Sequence, residues 1–229
     1  MMMYILMVML PALVLSGLAA VYVKMTFSKY SNVPAASGLS GAEAAEMMLR
    51  RSNVTGVTIE ETHGFLSDHY DPTSKTLRLS PEVYHGRSLS SLGVACHEAG
   101  HALQHAQAYG FLGLRSAMVP MTSFCSFGSY ILITLGFFIH ATGLALVGVI
   151  MFAAVVAFSF VTLPVEWDAS RRAKECLVGQ HMVNRDEING VGSVLNAAFL
   201  TYVAAAVTAL LTLLYYLWAL GLLGGRRDD

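Results

Sequence analysis

Three long apolar stretches, residues 4–23, 118–163 and 194–223, constrain this chain more than any other feature. A hydrocarbon core of about 30 Å is crossed by about 20 helical residues, and inside it every backbone N–H and C=O must find its partner within the segment. The first and third stretches are each long enough for one span. The second is long enough for two, with His140-Ala141-Thr142-Gly143 as the turn between them. A composition of 55% hydrophobic and 13% charged residues agrees. The fold class expected is therefore mainly α and integral to the membrane, with about four transmembrane helices. No basic residue precedes the first stretch, Lys24 and Lys29 follow it, and it exceeds the apolar part of a signal peptide. It reads as a retained span, with Pro11 marking a kink, while Pro164 closes the hairpin of residues 118–163.

Residues 24–116 are polar enough to form a small α+β domain outside the lipid. Ser40-Gly41-Ala42-Glu43 is a capping box that opens a helix running to about Arg51. Residues 57–61 and 75–80 alternate in strand fashion, and the turn Asp71-Pro72-Thr73-Ser74 between them predicts a short antiparallel sheet. Its edge offers main-chain hydrogen bonds to an extended peptide, although a sheet that merely packs accounts for the same pattern.

The chemistry is concentrated in residues 88–107, where His97-Glu98-Ala99-Gly100-His101 lies in a run with helical spacing. On a helix, His97 and His101 are one turn apart and can reach one metal ion, with Glu98 to its side. This is the pattern of a zinc hydrolase. Zn²⁺ with three protein ligands keeps a position for water, lowers its pKa to about 7, and leaves Glu98 to act as general base. His105 lies about 12 Å from His97 along the axis, too far to join them. The third ligand must come from elsewhere, and the polar segment 164–193 is the source. Glu166 is the candidate, read against the alternative that it simply complements a helix N-terminus. Ser170, one turn later on the same face, can support a ligand histidine. His69 and Tyr70 are candidates to stabilise an oxyanion, although a polar surface turn explains both equally well.

Of the fourteen Lys and Arg residues, eight lie in residues 24–115 and four in residues 171–185, with two more in the tail 224–229. The positive-inside rule places the first two groups in the cytoplasm, so the zinc motif and Glu166 are expected at one cytoplasmic membrane surface. Nothing resembles a nucleic-acid module. Cys96, Cys125 and Cys176 have no metal-type pair spacing, and Cys96 points about 100° away from His97 around the helix, as a packing residue does.

Taken together, Ser37-Gly38-Leu39-Ser40-Gly41-Ala42-Glu43, Leu66-Ser67-Asp68-His69-Tyr70-Asp71-Pro72, Leu77-Arg78-Leu79-Ser80, residues 97–105, residues 165–173 and Leu195-Asn196-Ala197-Ala198 give the chain a family resemblance. It resembles the YugP-type, membrane-bound neutral zinc metallopeptidases of bacteria over nearly its whole length. The resemblance implies a zincin-like catalytic domain, Zn²⁺ held by His97 and His101, Glu98 as general base, a protein or peptide substrate, and a multi-pass protein of the bacterial cytoplasmic membrane. More distantly the chain is similar to the integral-membrane gluzincins of the HtpX and CAAX-protease kind. That likeness implies Glu166 as third ligand. Those relatives carry Asp four residues after the ligand Glu, where this chain has Ser170. Two other readings compete with a membrane-surface endopeptidase. An intramembrane site-2-like protease draws its third ligand from a Leu-Asp-Gly motif, absent here. A catalytically silent metal-binding scaffold has no need of Glu98.

Overall fold

The computed structural model describes residues 2–64 and 67–223. Leu66 and the polar tail 224–229 lie outside the described residues. A short helix α1 (Met2–Tyr4) and a π-helical turn (Ile5–Met9) lead into α2 (Leu10–Ser31). Then come α3 (Gly41–Arg51), β1 (Thr58–Glu61), β2 (His69–Asp71), β3 (Thr76–Leu79), α4 (Pro81–Tyr84) and α5 (Leu89–Ala106). Three long helices complete the chain: α6 (Gly110–Phe138), α7 (Thr142–Gly179) and α8 (Glu187–Ala219). Four helices are long and apolar enough to cross a membrane: Ile5–Ser31, α6, α7 and α8. The protein is thus mainly α, with four candidate spans and one small sheet among the described residues.

The chain divides into two units. The apolar unit comprises residues 1–18, 114–163 and 201–229. Its core gathers Ile133, Val149, Phe152, Val156 and Tyr216, with Tyr4 stacked on Tyr216 at 5.7 Å between ring centroids. Gly136 lets α6 and α7 close tightly, since a Cβ there would lie 2.4 Å from the Ala145 nitrogen. Phe124, Phe127 and Phe138 point outward; Phe138 is 81% exposed, which suits contact with lipid and not with water.

The second unit comprises residues 19–113 and 164–200. Its core packs Met48 and Leu49 of α3, Leu77 and Leu79 of β3, Leu92, Ala95, Cys96 and Ala99 of α5, and Ala173 and Leu177 of α7. The Ser40 capping box closes in both directions: Ser40 Oγ accepts from the Glu43 N–H, and the Glu43 carboxylate accepts from the Ser40 N–H.

The sheet differs from the antiparallel pair expected of residues 57–61 and 75–80. Its order is β1-β3-β2, with β1 parallel to β3 and only β2 antiparallel to it. The turn at Asp71 therefore closes a β2–β3 hairpin. The Asp71 carboxylate accepts from the Thr73 N–H at 2.9 Å and the Ser74 hydroxyl at 2.7 Å, and Lys75 takes a left-handed φ of 51°. Strand β2 has three residues, too few for alternation to announce it, so β1 looked like the nearest partner.

Pro164 also acts differently from expectation. It does not close a helix but sits inside α7, which runs unbroken for 38 residues. An interior proline removes one hydrogen bond and costs about 3 kcal/mol. In its own unit the helix offsets that loss by burying Val165, Ala169, Ala173 and Leu177, a stripe at four-residue spacing with every member 0% exposed. Near Pro11, the Leu10 N–H reaches back to the Ile5 carbonyl in a π-helical turn, a local irregularity of the kind at which helices bend.

Candidate metal centre

Helix α5 presents the motif. Ser88 caps it, its Oγ accepting from the Ser91 N–H at 3.2 Å, and the helix then runs without interruption to Ala106. Leu92, Ala95, Cys96 and Ala99 are each 0% exposed and hold one face in the core, which turns His97 and His101 toward α7. The approach of the two helices depends on Gly100. A Cβ there would meet the Ala169 carbonyl oxygen at 2.8 Å. Backbone against backbone brings Glu166, Ala169 and Ser170, all on one face of α7, up to the two imidazoles.

The donor atoms converge. His97 Nε2 lies 3.2 Å and His101 Nε2 3.6 Å from the same Glu166 Oε2. One ligand atom from each of the three residues falls within 4.8 Å of the others. Two imidazole nitrogens and one carboxylate oxygen form a donor set that suits Zn²⁺. Burial makes the trio expensive without a cation to face, since Glu166 is 2% exposed and His101 7%. The residues therefore fit the metal.

Each histidine is oriented through its other nitrogen. His97 Nδ1 lies 3.0 Å from Ser170 Oγ, and His101 Nδ1 lies 3.0 Å from Gln104 Oε1. Both contacts leave Nε2 pointing at Glu166. Gln104, fully buried, is itself held: its amide nitrogen donates to the Val165 carbonyl and to Asp168 Oδ2, both at 2.9 Å. Asp168 in turn accepts from Arg171 and Arg172. Gln104 escaped the sequence reading, although its place three residues after His101, on the same helical face, is the signal that could have found it.

Glu98 stands beside the cluster on α5 and is bound from the other side. Its Oε2 accepts the Tyr70 main-chain N–H at 3.1 Å, tying the edge strand β2 to the motif helix. Burial pushes the Glu98 carboxyl above the usual carboxylate range, against the opposing pull of His97 and His101. Asp68 secures the start of the same strand, accepting the Ser80 N–H at 2.7 Å and its hydroxyl at 3.0 Å.

The two residues singled out as oxyanion donors part company here. The Tyr70 side chain runs down α5, away from Glu98, and its hydroxyl meets His105 Nδ1 at 2.9 Å. His69, the neighbour on a pleated strand, is exposed, with Nδ1 against the Ser67 carbonyl at 2.8 Å, and is not brought to the cluster. His105 stays outside the ligand set, as the helical rise requires.

Comparison with known proteins agrees with this geometry. Residues 4–221 match the family described as "Putative neutral zinc metallopeptidase". The "Putative membrane protease YugP" of Bacillus subtilis (strain 168) is 45% identical over 218 residues, covering 95% of this chain and 96% of the relative. No solved structure matches the chain. A motif helix and a later helix whose donors converge, joined to a family match over nearly the whole sequence, place this chain in the neutral zinc metallopeptidase family.

Proposed function

We propose that the protein is a zinc-dependent endopeptidase working at the cytoplasmic surface of the membrane, with His97, His101 and Glu166 as metal ligands and Glu98 as general base. The observation that carries this reading is the convergence of those three donors with the Glu98 carboxylate alongside, on the same helix as two of them. A zinc ion, when bound, would supply Lewis acidity toward a peptide carbonyl and a water whose pKa falls to about 7. The chain's residues supply the rest. Glu98, raised in pKa, is suited to take a proton from the attacking water and return it to the leaving amine. Ser170 and Gln104 keep the ligand imidazoles in one tautomer. Strand β2 is an edge of the sheet, and the Tyr70 N–H on that edge is bonded to Glu98, so an extended peptide lying along β2 is brought next to Glu98.

The distribution of basic residues supports a cytoplasmic site. The test of the hydrolase reading is cleavage of a general protein substrate by purified protein against the Glu98→Gln variant. Gln can still accept the Tyr70 N–H yet cannot take a proton, so the variant keeps zinc and loses at least about a hundredfold in rate. Equal rates would remove Glu98 from the mechanism.

A further inference from the structure

Beyond the metal cluster, Tyr70 leads to a second feature. Its main-chain N–H is on Glu98 while its hydroxyl is on His105, so one residue bridges the catalytic carboxylate and a separate small pocket. The pocket has a volume of about 250 Å³, room for one amino-acid side chain. Val54, Val57, Ala102 and Ala106 form apolar parts of its wall, and Lys75, His105 and Thr55 bring polar groups to it.

Its charge has one sign. No acidic side chain lines it, and Lys75 has no ion-pair partner among the described residues. The nearest carboxylate in sequence, Asp71, is engaged by Thr73, Ser74 and Arg78. The Lys75 backbone is fixed by the hairpin, with a left-handed φ of 51° and its carbonyl accepting the Thr58 N–H at 3.1 Å, and its exposed side chain reaches the pocket from that anchor. Since the Tyr70 hydroxyl occupies His105 Nδ1, the imidazole's Nε2 is left for another partner.

We propose that this pocket is a specificity site that takes a carboxylate of the substrate, with Lys75 as its counter-charge and His105 and Tyr70 as its polar wall. The proposal rests on the peptidase reading, because it makes the occupant a residue of the peptide laid along β2. The distance fits: a tyrosine side chain separates the pocket from the Glu98 carboxylate, so the recognised residue stands within a few positions of the scissile bond. Lys75 is exposed, so water solvates its ammonium beside a neutral occupant, whereas a carboxylate there gains a charge-assisted hydrogen bond.

The test uses peptides of one sequence bearing Glu, Gln or Lys in turn at each position flanking the cleaved bond, each made with a free or an amidated C-terminus. Wild-type protein is expected to cleave the Glu peptide about five- to tenfold better than its Gln counterpart, mainly through KM. Lys75→Met should level that preference, and Lys75→Glu should turn it toward Lys. Dependence on the free C-terminus in place of Glu would identify the terminal carboxylate as the occupant. Binding of the same labelled peptides to the Glu98→Gln protein, followed by anisotropy, reads the pocket without cleavage. If wild type cleaves nothing while binding still follows Lys75, the peptidase reading falls and the pocket stands. A wild-type preference unchanged in both Lys75 variants, or equal binding of all peptides, overturns the pocket.

Discussion

Ser170 Oγ stands 3.0 Å from His97 Nδ1, a contact between residues 73 positions apart in the chain. It sets a neutral hydroxyl, not a carboxylate, behind the first histidine of the motif. A hydroxyl accepts the imidazole N–H without adding charge, so it fixes the ring's tautomer while making the ligand less basic than a carboxylate partner would. Ser170→Ala removes the acceptor and is expected to weaken zinc binding by about tenfold, measured by competition with a chelator. Ser170→Asp, which puts a charged acceptor in its place, should hold zinc at least as tightly as wild type. Unchanged affinity in the alanine variant would show that His97 is oriented by packing alone.

Glu166 and Asp168 lie two residues apart on α7 and do different work. Glu166→Ala removes one of three donors and is expected to lose stoichiometric zinc, read as metal content after dialysis. Asp168→Ala leaves the donors intact but removes one of the two acceptors that hold the Gln104 amide, which steadies His101. Zinc should stay bound, with affinity down by about tenfold, and Gln104→Ala should give the same loss. If the two variants combined lose the product of their separate effects, Asp168 acts on something other than Gln104.

Gly100 is the point where α5 and α7 touch through backbone. Gly100→Ala forces a methyl group into the Ala169 carbonyl, and the helices must separate to admit it. Overpacking of this kind costs about 1–3 kcal/mol. The larger effect is expected on the site, since the same displacement carries Glu166 away from both imidazoles. Metal affinity should fall more steeply than thermal stability; a variant with wild-type zinc binding would mean that the helices have slack at this crossing.

Cysteine labelling in intact cells checks the proposed orientation. Single cysteines near Arg87 and Arg172 should both be shielded from an impermeant reagent, and one at His140 should react. Finding the first two on opposite sides would be incompatible with Glu166 serving as a ligand to the α5 histidines.

The legible part of this protein is what periodicity and spacing carry. Twenty-residue apolar runs announced the four long helices, Ser40 and Glu43 announced the cap of α3, and the i, i+4 histidines announced a donor pair on one helix. What stayed hidden depends on contacts between distant segments. The parallel pairing of β1 with β3 leaves no local trace, three-residue β2 is too short for a pattern, and the fate of Pro164 was decided by the buried stripe from Val165 to Leu177. Gln104 was overlooked because its partners, His101 aside, are on α7, more than sixty positions away.

The donors' separation in the chain also sets an order of events during synthesis. His97 and His101 leave the ribosome about 65 residues before Glu166. At about 5–20 residues per second, the nascent protein spends roughly 3–13 s with two of its three donors made. Two imidazoles hold zinc far less firmly than a complete trio, so the three-donor metal centre cannot assemble until α6 and α7 as far as Glu166 have been synthesised. Under the proposed peptidase reading, activity is thereby withheld until most of the chain has been made.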